Sequence, residues 1–180
     1  DTIVITTPHG TVYADWFHIS PGAGVRGSFA AFGEDTPIAV SYDEEFVREL
    51  AGLARSAGFP AGTEGERSPA LDHGALVPLY FLGNAYGGAK LPPVVRISIS
   101  GLSFAEHYRL GMLIKETAEA LGRRVSVVAS GDLSHYLTRS GPYGYRREGP
   151  QYDRQIMEIM GEGSFGSLLE MSESFCRAAG

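Results

Sequence analysis

The stretch RVSVVASGDLSHYL, residues 124–137, decides how the rest of the chain is interpreted. Its first half, 125–129, is a short apolar run rich in valine, which predicts a buried strand of an α/β sheet. A polar segment begins where that strand would end. Ligands of open α/β sheets bind at the carboxyl ends of strands, and Gly131 lets the chain turn there. We therefore expect Asp132 and His135 to lie at the mouth of a pocket. The alternative is that Asp132 caps the next turn and His135 packs on the surface.

The composition is that of an ordinary globular domain. The 180 residues suit one α/β domain over 1–180, and 43% hydrophobic with 20% charged residues excludes a disordered chain. A net charge of −6 argues against a nucleic-acid-binding surface. No apolar run approaches the roughly 20 residues that a membrane span needs. Cys176 is the single cysteine, so no internal disulfide can form. These features predict a cytoplasmic protein that binds neither nucleic acid nor membrane.

Strand and helix patterns alternate along the chain, which predicts an α/β fold with a mostly parallel central sheet and helices on both faces. Residues 11–35 form a long glycine-rich loop in this interpretation. The chain starts directly in a strand and stops directly after a helix, so we expect a piece of a longer protein, truncated at both ends. The predicted strands are 2–7, 36–41, 94–100 and 125–129, and the predicted helices are 43–57, 75–82, 103–121, 151–160 and 164–178.

Two further histidines follow turn-forming residues. His9 stands between Pro8 and Gly10 at the end of strand 2–7, where a metal ligand or a catalytic group is often placed, although a lone histidine is more often neither. His73 follows Asp72 at the start of a predicted helix, where a helix N-terminus favours an anion or a polarised oxygen. The alternative is that Asp72 only caps this helix and His73 is incidental.

The three histidines belong to motifs that occur in a characteristic order. They read TPHG around His9, LDHGALVPL around His73 and SGDLSHYL around His135. This combination resembles the LigB-like superfamily of class III extradiol ring-cleaving dioxygenases, which also contains the MEMO-type proteins. It is most similar to the bacterial branch associated with AMMECR1 domains, and the resemblance covers nearly the whole chain.

The resemblance implies a non-haem Fe(II) site of two histidines and one carboxylate, open for substrate and oxygen, with zinc as the alternative metal. It implies that His9 is a metal ligand and that His135 is the acid/base towards the substrate. It also implies that His73 contacts substrate or oxygen and that Asp132 is the acidic neighbour found in the MEMO-type branch.

The chain departs from the family pattern at both ends. The first metal histidine of the family lies upstream of His9, and its third ligand lies near the C-terminal end; neither region is present. Cys176 comes before the expected third ligand and is not promoted to that role. We therefore expect the other metal ligands outside this chain.

Three functions remain open at this point. The first is a ring-cleaving dioxygenase that acts on a catechol-type aromatic diol and dioxygen. The second is a MEMO-like metal-binding, redox or interaction protein without ring cleavage, and the third is a zinc-dependent hydrolase. The partners expected are a fused or separate AMMECR1-type domain and a second copy of the chain. All three functions require that residues 9, 73 and 135 converge around one cavity.

Overall fold

Residues Thr2–Thr7 form the central strand of a parallel sheet in the computed structural model, which describes residues 1–180. In chain order the strands are β1 (Thr2–Thr7), β2 (Phe17–His18), β3 (Gly24–Phe29), β4 (Glu34–Ser41), β5 (Ala61–Gly62), β6 (Val94–Ser98) and β7 (Val125–Ala129). The helices are α1 (Glu44–Ser56), α2 (His73–Ala85), α3 (Phe104–Ala120), α4 (Glu148–Glu162) and α5 (Glu173–Ala179).

The chain divides into two compact units, which are described separately. The first unit is Asp1–Gly131 and holds the sheet with α1, α2 and α3, whereas the second is Asp132–Gly180 and holds α4 and α5. A single domain over residues 1–180 stays a prediction. No helix is both long enough and apolar enough to cross a membrane.

The central sheet is parallel, as predicted. Its strand order is β6-β1-β7, and Val4 of β1 lies in register with Val95 of β6 and Val127 of β7. β-branched side chains suit a pleated, buried strand, and all of β6 is buried. The three strand ends therefore lie along one edge of the sheet, where polar residues follow each strand. The prediction that 125–129 is buried is wrong, because β7 lies at the edge of this sheet and its Val127 is 60% exposed.

Helices cover both faces of the sheet, which confirms the predicted α/β architecture. Because successive side chains of a strand point to opposite faces, Val4 packs with α1 and α3 while Ile3 and Ile5 pack with α2. The α1 and α3 side is filled by residues such as Phe46 and Leu50. The α2 side also receives the β3–β4 hairpin.

Three helices begin at side-chain caps. Asp43, Asp72 and Ser103 each accept a hydrogen bond from the backbone N–H three residues later, at 3.1, 3.1 and 3.3 Å. Such a side chain satisfies one of the free N–H groups of the first turn. The caps fix where α1, α2 and α3 leave their preceding loops.

Two predicted elements differ from the structure. Residues 11–35 are not one loop, since β3 pairs antiparallel with β4 from Gly24 opposite Ser41 onwards. The predicted helix 164–178 is instead a 3-10 helix, Phe165–Glu170, followed by α5, whose first N–H groups are capped by Ser172. The glycines of β3 hide its strand pattern, and the cap at Ser172 competes with helix continuation.

A buried ionic network lies on the α2 side of the sheet. Arg96 of β6 is 1% exposed, and its guanidinium donates to the Glu66 carboxylate at 3.2 Å. Glu66 also accepts hydrogen bonds from Thr11 Oγ1 at 2.8 Å and from the Ser68 N–H at 2.9 Å, and its carboxylate lies 3.0 Å from Nε2 of the fully buried His18. Burial alone would raise the pKa of Glu66, but these hydrogen bonds outweigh it and lower the pKa to about 2.

We predict that Glu66→Gln lowers the free energy of unfolding by about 3 kcal/mol at neutral pH, because it leaves buried Arg96 without its hydrogen-bonded counter-charge. The native pKa of about 2 lies below the ordinary value of 4.5. The stabilisation by Glu66 is therefore complete above pH 4.5 and is lost as the pH falls from 4.5 towards 2. Denaturant unfolding of the parent and the variant across this pH range should show the difference between their free energies of unfolding becoming smaller as the pH falls.

The matched control is Glu64→Gln, since the Glu64 side chain is 66% exposed and faces Arg55 at 3.9 Å. An exposed ion pair of this kind contributes at most about 1 kcal/mol. Equal losses for the two variants, or a Glu66→Gln loss that does not change with pH, would contradict the assignment.

Candidate active site

The end of β1 is joined to the beginning of α2 by the Asp72 carboxylate. Its Oδ1 accepts the Thr7 hydroxyl at 2.5 Å and the Ala75 N–H at 3.1 Å. Thr7 Oγ1 in turn accepts the N–H of His9 at 3.2 Å. One carboxylate oxygen therefore fixes both the helix that starts with His73 and the loop that carries His9.

Two glycines allow these segments to approach closely. A Cβ atom on Gly10 would lie 2.5 Å from Ser98 Oγ, and one on Gly74 would lie 2.6 Å from Thr7 Oγ1 and 3.2 Å from Cδ2 of His9. Real Cβ atoms essentially never lie within 3.0 Å of such a neighbour, so a side chain at either glycine would force Ser98 or Thr7 to move. The absence of a side chain at both positions is thus a condition for the observed geometry.

His9 and His73 are brought into direct contact. Their ring centroids are 3.9 Å apart with the planes tilted by 33°. Both residues are solvent-exposed, so a small molecule can reach them. Phe32, from the connection between β3 and β4, approaches His73 edge-on at 5.8 Å and is 70% exposed. An exposed aromatic side chain therefore lies beside the histidine pair.

The second oxygen of Asp72 has a different environment. Oδ2 is buried without a hydrogen-bond partner and lies 3.8 Å from Nη1 of Arg96. The negative charge of the cap is thus compensated by a buried guanidinium rather than by solvent. This connects the cap of α2 to the ionic network of β6.

The second unit contains the other two predicted site residues. His135 Nε2 lies 3.9 Å from Asp132 Oδ2, and the two side chains are 48% and 54% exposed. The His135 ring stacks on Tyr143 with centroids 5.0 Å apart and an angle of 25°. An aromatic platform and a nearby carboxylate therefore hold an accessible imidazole.

Ser134 anchors the backbone on which His135 stands. It is buried, its N–H donates to Asp153 Oδ1 at 2.8 Å, and its hydroxyl donates to the Ala179 carbonyl at 2.5 Å. Its Oγ also accepts the Tyr136 N–H at 3.0 Å. The residues on both sides of His135 are thus fixed while its own side chain stays exposed.

The structure brings His9 and His73 together in the first unit and Asp132 near His135 in the second unit. The convergence of residues 9, 73 and 135 on one cavity stays a prediction. Thr7 and Ser134, which hold the loops of the histidines, were not predicted from the sequence. The signal for both was a hydroxyl residue placed at the end of a strand or directly before a histidine, next to a turn.

The other two histidines have structural partners. Both ring nitrogens of buried His18 face oxygen atoms, the Glu64 carbonyl at 3.1 Å and the Glu66 carboxylate at 3.0 Å. His107 Nδ1 lies 2.9 Å from the Ser103 carbonyl, and its ring meets Phe17 edge-on at 4.7 Å. They therefore hold loops and the α3 side of the core.

The residues present do not complete a metal site. No group of three histidine, cysteine, aspartate or glutamate side chains lies close enough to hold an ion. His9 and His73 face each other with their rings, whereas coordination uses the nitrogen lone pairs in the ring plane. Burial raises the pKa of the Cys176 thiol, which disfavours the thiolate that a metal needs.

The fold and the site define an α/β protein with histidines placed where strands end and helices begin. Residues 1–180 match the family described as the catalytic LigB subunit of aromatic ring-opening dioxygenase. The chain therefore belongs to the LigB family, which confirms the resemblance seen in the three motifs. Membership of its MEMO-type branch stays a prediction.

Two curated relatives extend beyond the chain. Protein CA_C1420 of Clostridium acetobutylicum is 31% identical over 188 residues, which cover 100% of this chain and 40% of that protein. The 3,4-dihydroxyphenylacetate 2,3-dioxygenase of Escherichia coli is 27% identical over 184 residues, which cover 95% of this chain and 65% of that enzyme. The chain thus spans about two fifths and just under two thirds of their lengths.

We predict that Gly74→Ala destabilises the protein by about 1–3 kcal/mol, because the new methyl group forces Thr7 and His9 away from α2. Gly83→Ala is the matched control in the same helix, since a Cβ there meets nothing within 4 Å. It should raise stability by up to about 1 kcal/mol, because alanine favours a helix. Denaturant unfolding distinguishes the two, and equal shifts in the same direction would contradict the close approach.

Proposed function

We propose that the whole protein is an extradiol ring-cleaving dioxygenase that acts on a catechol-type aromatic diol with dioxygen and depends on Fe(II). The observation that carries this proposal is the His9–His73 contact, formed where β1 ends and α2 begins. Membership of the LigB family supports the reaction class, and the relative in Escherichia coli is named as a dioxygenase of a dihydroxy aromatic acid.

Each site residue has a distinct part in this proposal. His135 takes the proton from one hydroxyl of the diol, a task that suits an accessible imidazole beside a carboxylate, with Asp132 Oδ2 3.9 Å away. His73 donates a hydrogen bond to the oxygen that becomes negatively charged. Exposed Phe32 next to His73 offers an aromatic edge to the substrate ring.

We propose that the metal also uses residues beyond those described. His9 serves as one ligand in our proposal, with the remaining ligands outside residues 1–180, because no three suitable side chains converge within them. Two histidines and one carboxylate are the set that holds non-haem Fe(II) with open positions, and zinc is the alternative metal. The sequence also supports a cytoplasmic protein, and the net charge of −6 argues against a nucleic-acid partner.

We predict that the full-length protein, loaded with Fe(II) without oxygen and then given oxygen and a panel of catechols, produces a yellow ring-opened product. Stoichiometric iron without turnover of any diol would favour a MEMO-like protein without ring cleavage. The Asp132–His135 pair is the observation that supports this second candidate. Bound zinc with esterase or amidase activity would instead favour a hydrolase.

We propose a fused or separate AMMECR1-type domain and a homo-oligomer, both from the family resemblance. Size-exclusion chromatography with light scattering on the full-length protein measures the oligomer directly.

His135→Ala should lower kcat about 10²- to 10⁴-fold, which is the usual contribution of a positioned general base. Its thermal midpoint should stay close to that of the parent, since the side chain is 48% exposed and Ser134 holds the backbone. His107→Gln is the control, because its ring contacts Ser103 and Phe17 instead. Parental kcat in His135→Ala would remove the acid/base assignment.

A further inference from the structure

We propose that Arg96 is a positioning residue that holds the chain segment leading into His73. The proposal rests on the proposed function only in giving His73 a part in substrate binding. In structural terms, we propose that the buried guanidinium of Arg96 holds residues 66–72 in place.

Arg96 lies on the α2 face of the sheet and is buried. Its neighbour in register on β1 is Ile5, which belongs to the apolar cluster on the α2 side. Arg96 is 1% exposed, so solvent cannot satisfy its five donor hydrogens. These donor hydrogens must therefore be satisfied by hydrogen bonds to the protein.

Those bonds fall on every second residue of the segment that precedes His73. Nη2 donates to Glu66 Oε2 at 3.2 Å and to the Ser68 carbonyl at 3.0 Å, and Nη1 donates to the Ala70 carbonyl at 2.6 Å. Nη1 also lies 3.8 Å from Asp72 Oδ2. One side chain therefore fixes the segment at four points before it enters α2.

The orientation of the guanidinium is itself fixed. Nε of Arg96 donates to Ser20 Oγ at 2.8 Å, and Ser20 is 2% exposed. A planar fork held at Nε directs its two terminal nitrogens to defined positions, which a lysine ammonium cannot reproduce. Loss of the fork would leave the Ser68 and Ala70 carbonyls unpaired and the Asp72 carboxylate without its counter-charge.

Asp72 connects Arg96 to the pair formed by His9 and His73. Its Oδ1 caps α2 and accepts Thr7, while its Oδ2 faces Arg96. A displacement of residues 66–72 therefore moves His73 relative to His9. A shift of about 1 Å in a group that meets substrate can lower a rate about a hundredfold.

The test uses the full-length protein with ¹³C-labelled histidine and measures the nuclear Overhauser cross-peak between the rings of His9 and His73. This cross-peak is expected in the parent, whose ring centroids are 3.9 Å apart. Arg96→Lys and Arg96→Met should remove it in folded protein. In a protein that opens catechols, the same variants should lower kcat about a hundredfold with a smaller change in KM.

Two controls separate positioning from general loss of stability. Leu50→Ala removes a fully buried side chain from the other face of the sheet and costs about 2–5 kcal/mol, so it destabilises without touching residues 66–72. Arg124→Met removes an exposed arginine that pairs with Asp1. Both controls should keep the cross-peak.

A retained cross-peak in folded Arg96→Lys, its absence from the parent, or its equal loss in Leu50→Ala would each overturn the proposal. If neither Arg96 variant folds, Ser20→Ala decides, since it removes only the bond to Nε. The cross-peak should weaken in that variant, and an unchanged cross-peak overturns the proposal. The cross-peak is measured without turnover. A protein that opens no ring would therefore disprove the proposed function, and the cross-peak would still decide whether Arg96 positions His73.

Discussion

The Asp72 carboxylate is the constraint on which the first unit's site depends. It caps α2 through Oδ1, accepts the hydroxyl of Thr7 at the end of β1, and faces Arg96 with Oδ2. A strand, a helix and a buried charge thus meet at one side chain. Because Thr7 of the rigid strand also accepts the N–H of His9, the start of the loop after β1 is fixed as well, and His9 faces His73 at the start of the helix.

In this arrangement, the residues that stabilise the fold differ from the residues that are available for chemistry. The charge of buried Arg96 is compensated by the partly buried Glu66, whereas His9, His73 and His135 are exposed. Buried ion pairs contribute mainly by making the loss of either partner costly, which fixes one loop conformation. Exposed imidazoles remain free to bind or to exchange protons. The second unit follows the same plan, with buried Ser134 fixing the backbone of exposed His135.

Local patterns predicted most of the sheet and its helices. The β-branched runs at 2–7, 94–100 and 125–129 have strong local causes, and each forms a strand, although 94–100 ends at Ser98 and 125–129 is partly exposed rather than buried. Helices α1, α2 and α3 begin at side-chain caps. The β3–β4 hairpin was missed, because a strand with two glycines in six residues depends on its partner strand. The network of Arg96, Glu66 and His18 was also missed, since its members are far apart in sequence.

The candidate site residues could be recognised as residue types at strand ends, but the contacts between them depend on tertiary structure. The contact of His9 with His73 follows from Gly10 and Gly74, whose importance becomes visible only through the atoms they approach. The proposed site can be tested most directly by a crystal structure of the full-length protein, prepared without oxygen and with Fe(II) and a catechol. In our proposal, the diol binds with the imidazoles of His9, His73 and His135 around it. Imidazoles on separate surfaces, or a diol bound elsewhere, would contradict it.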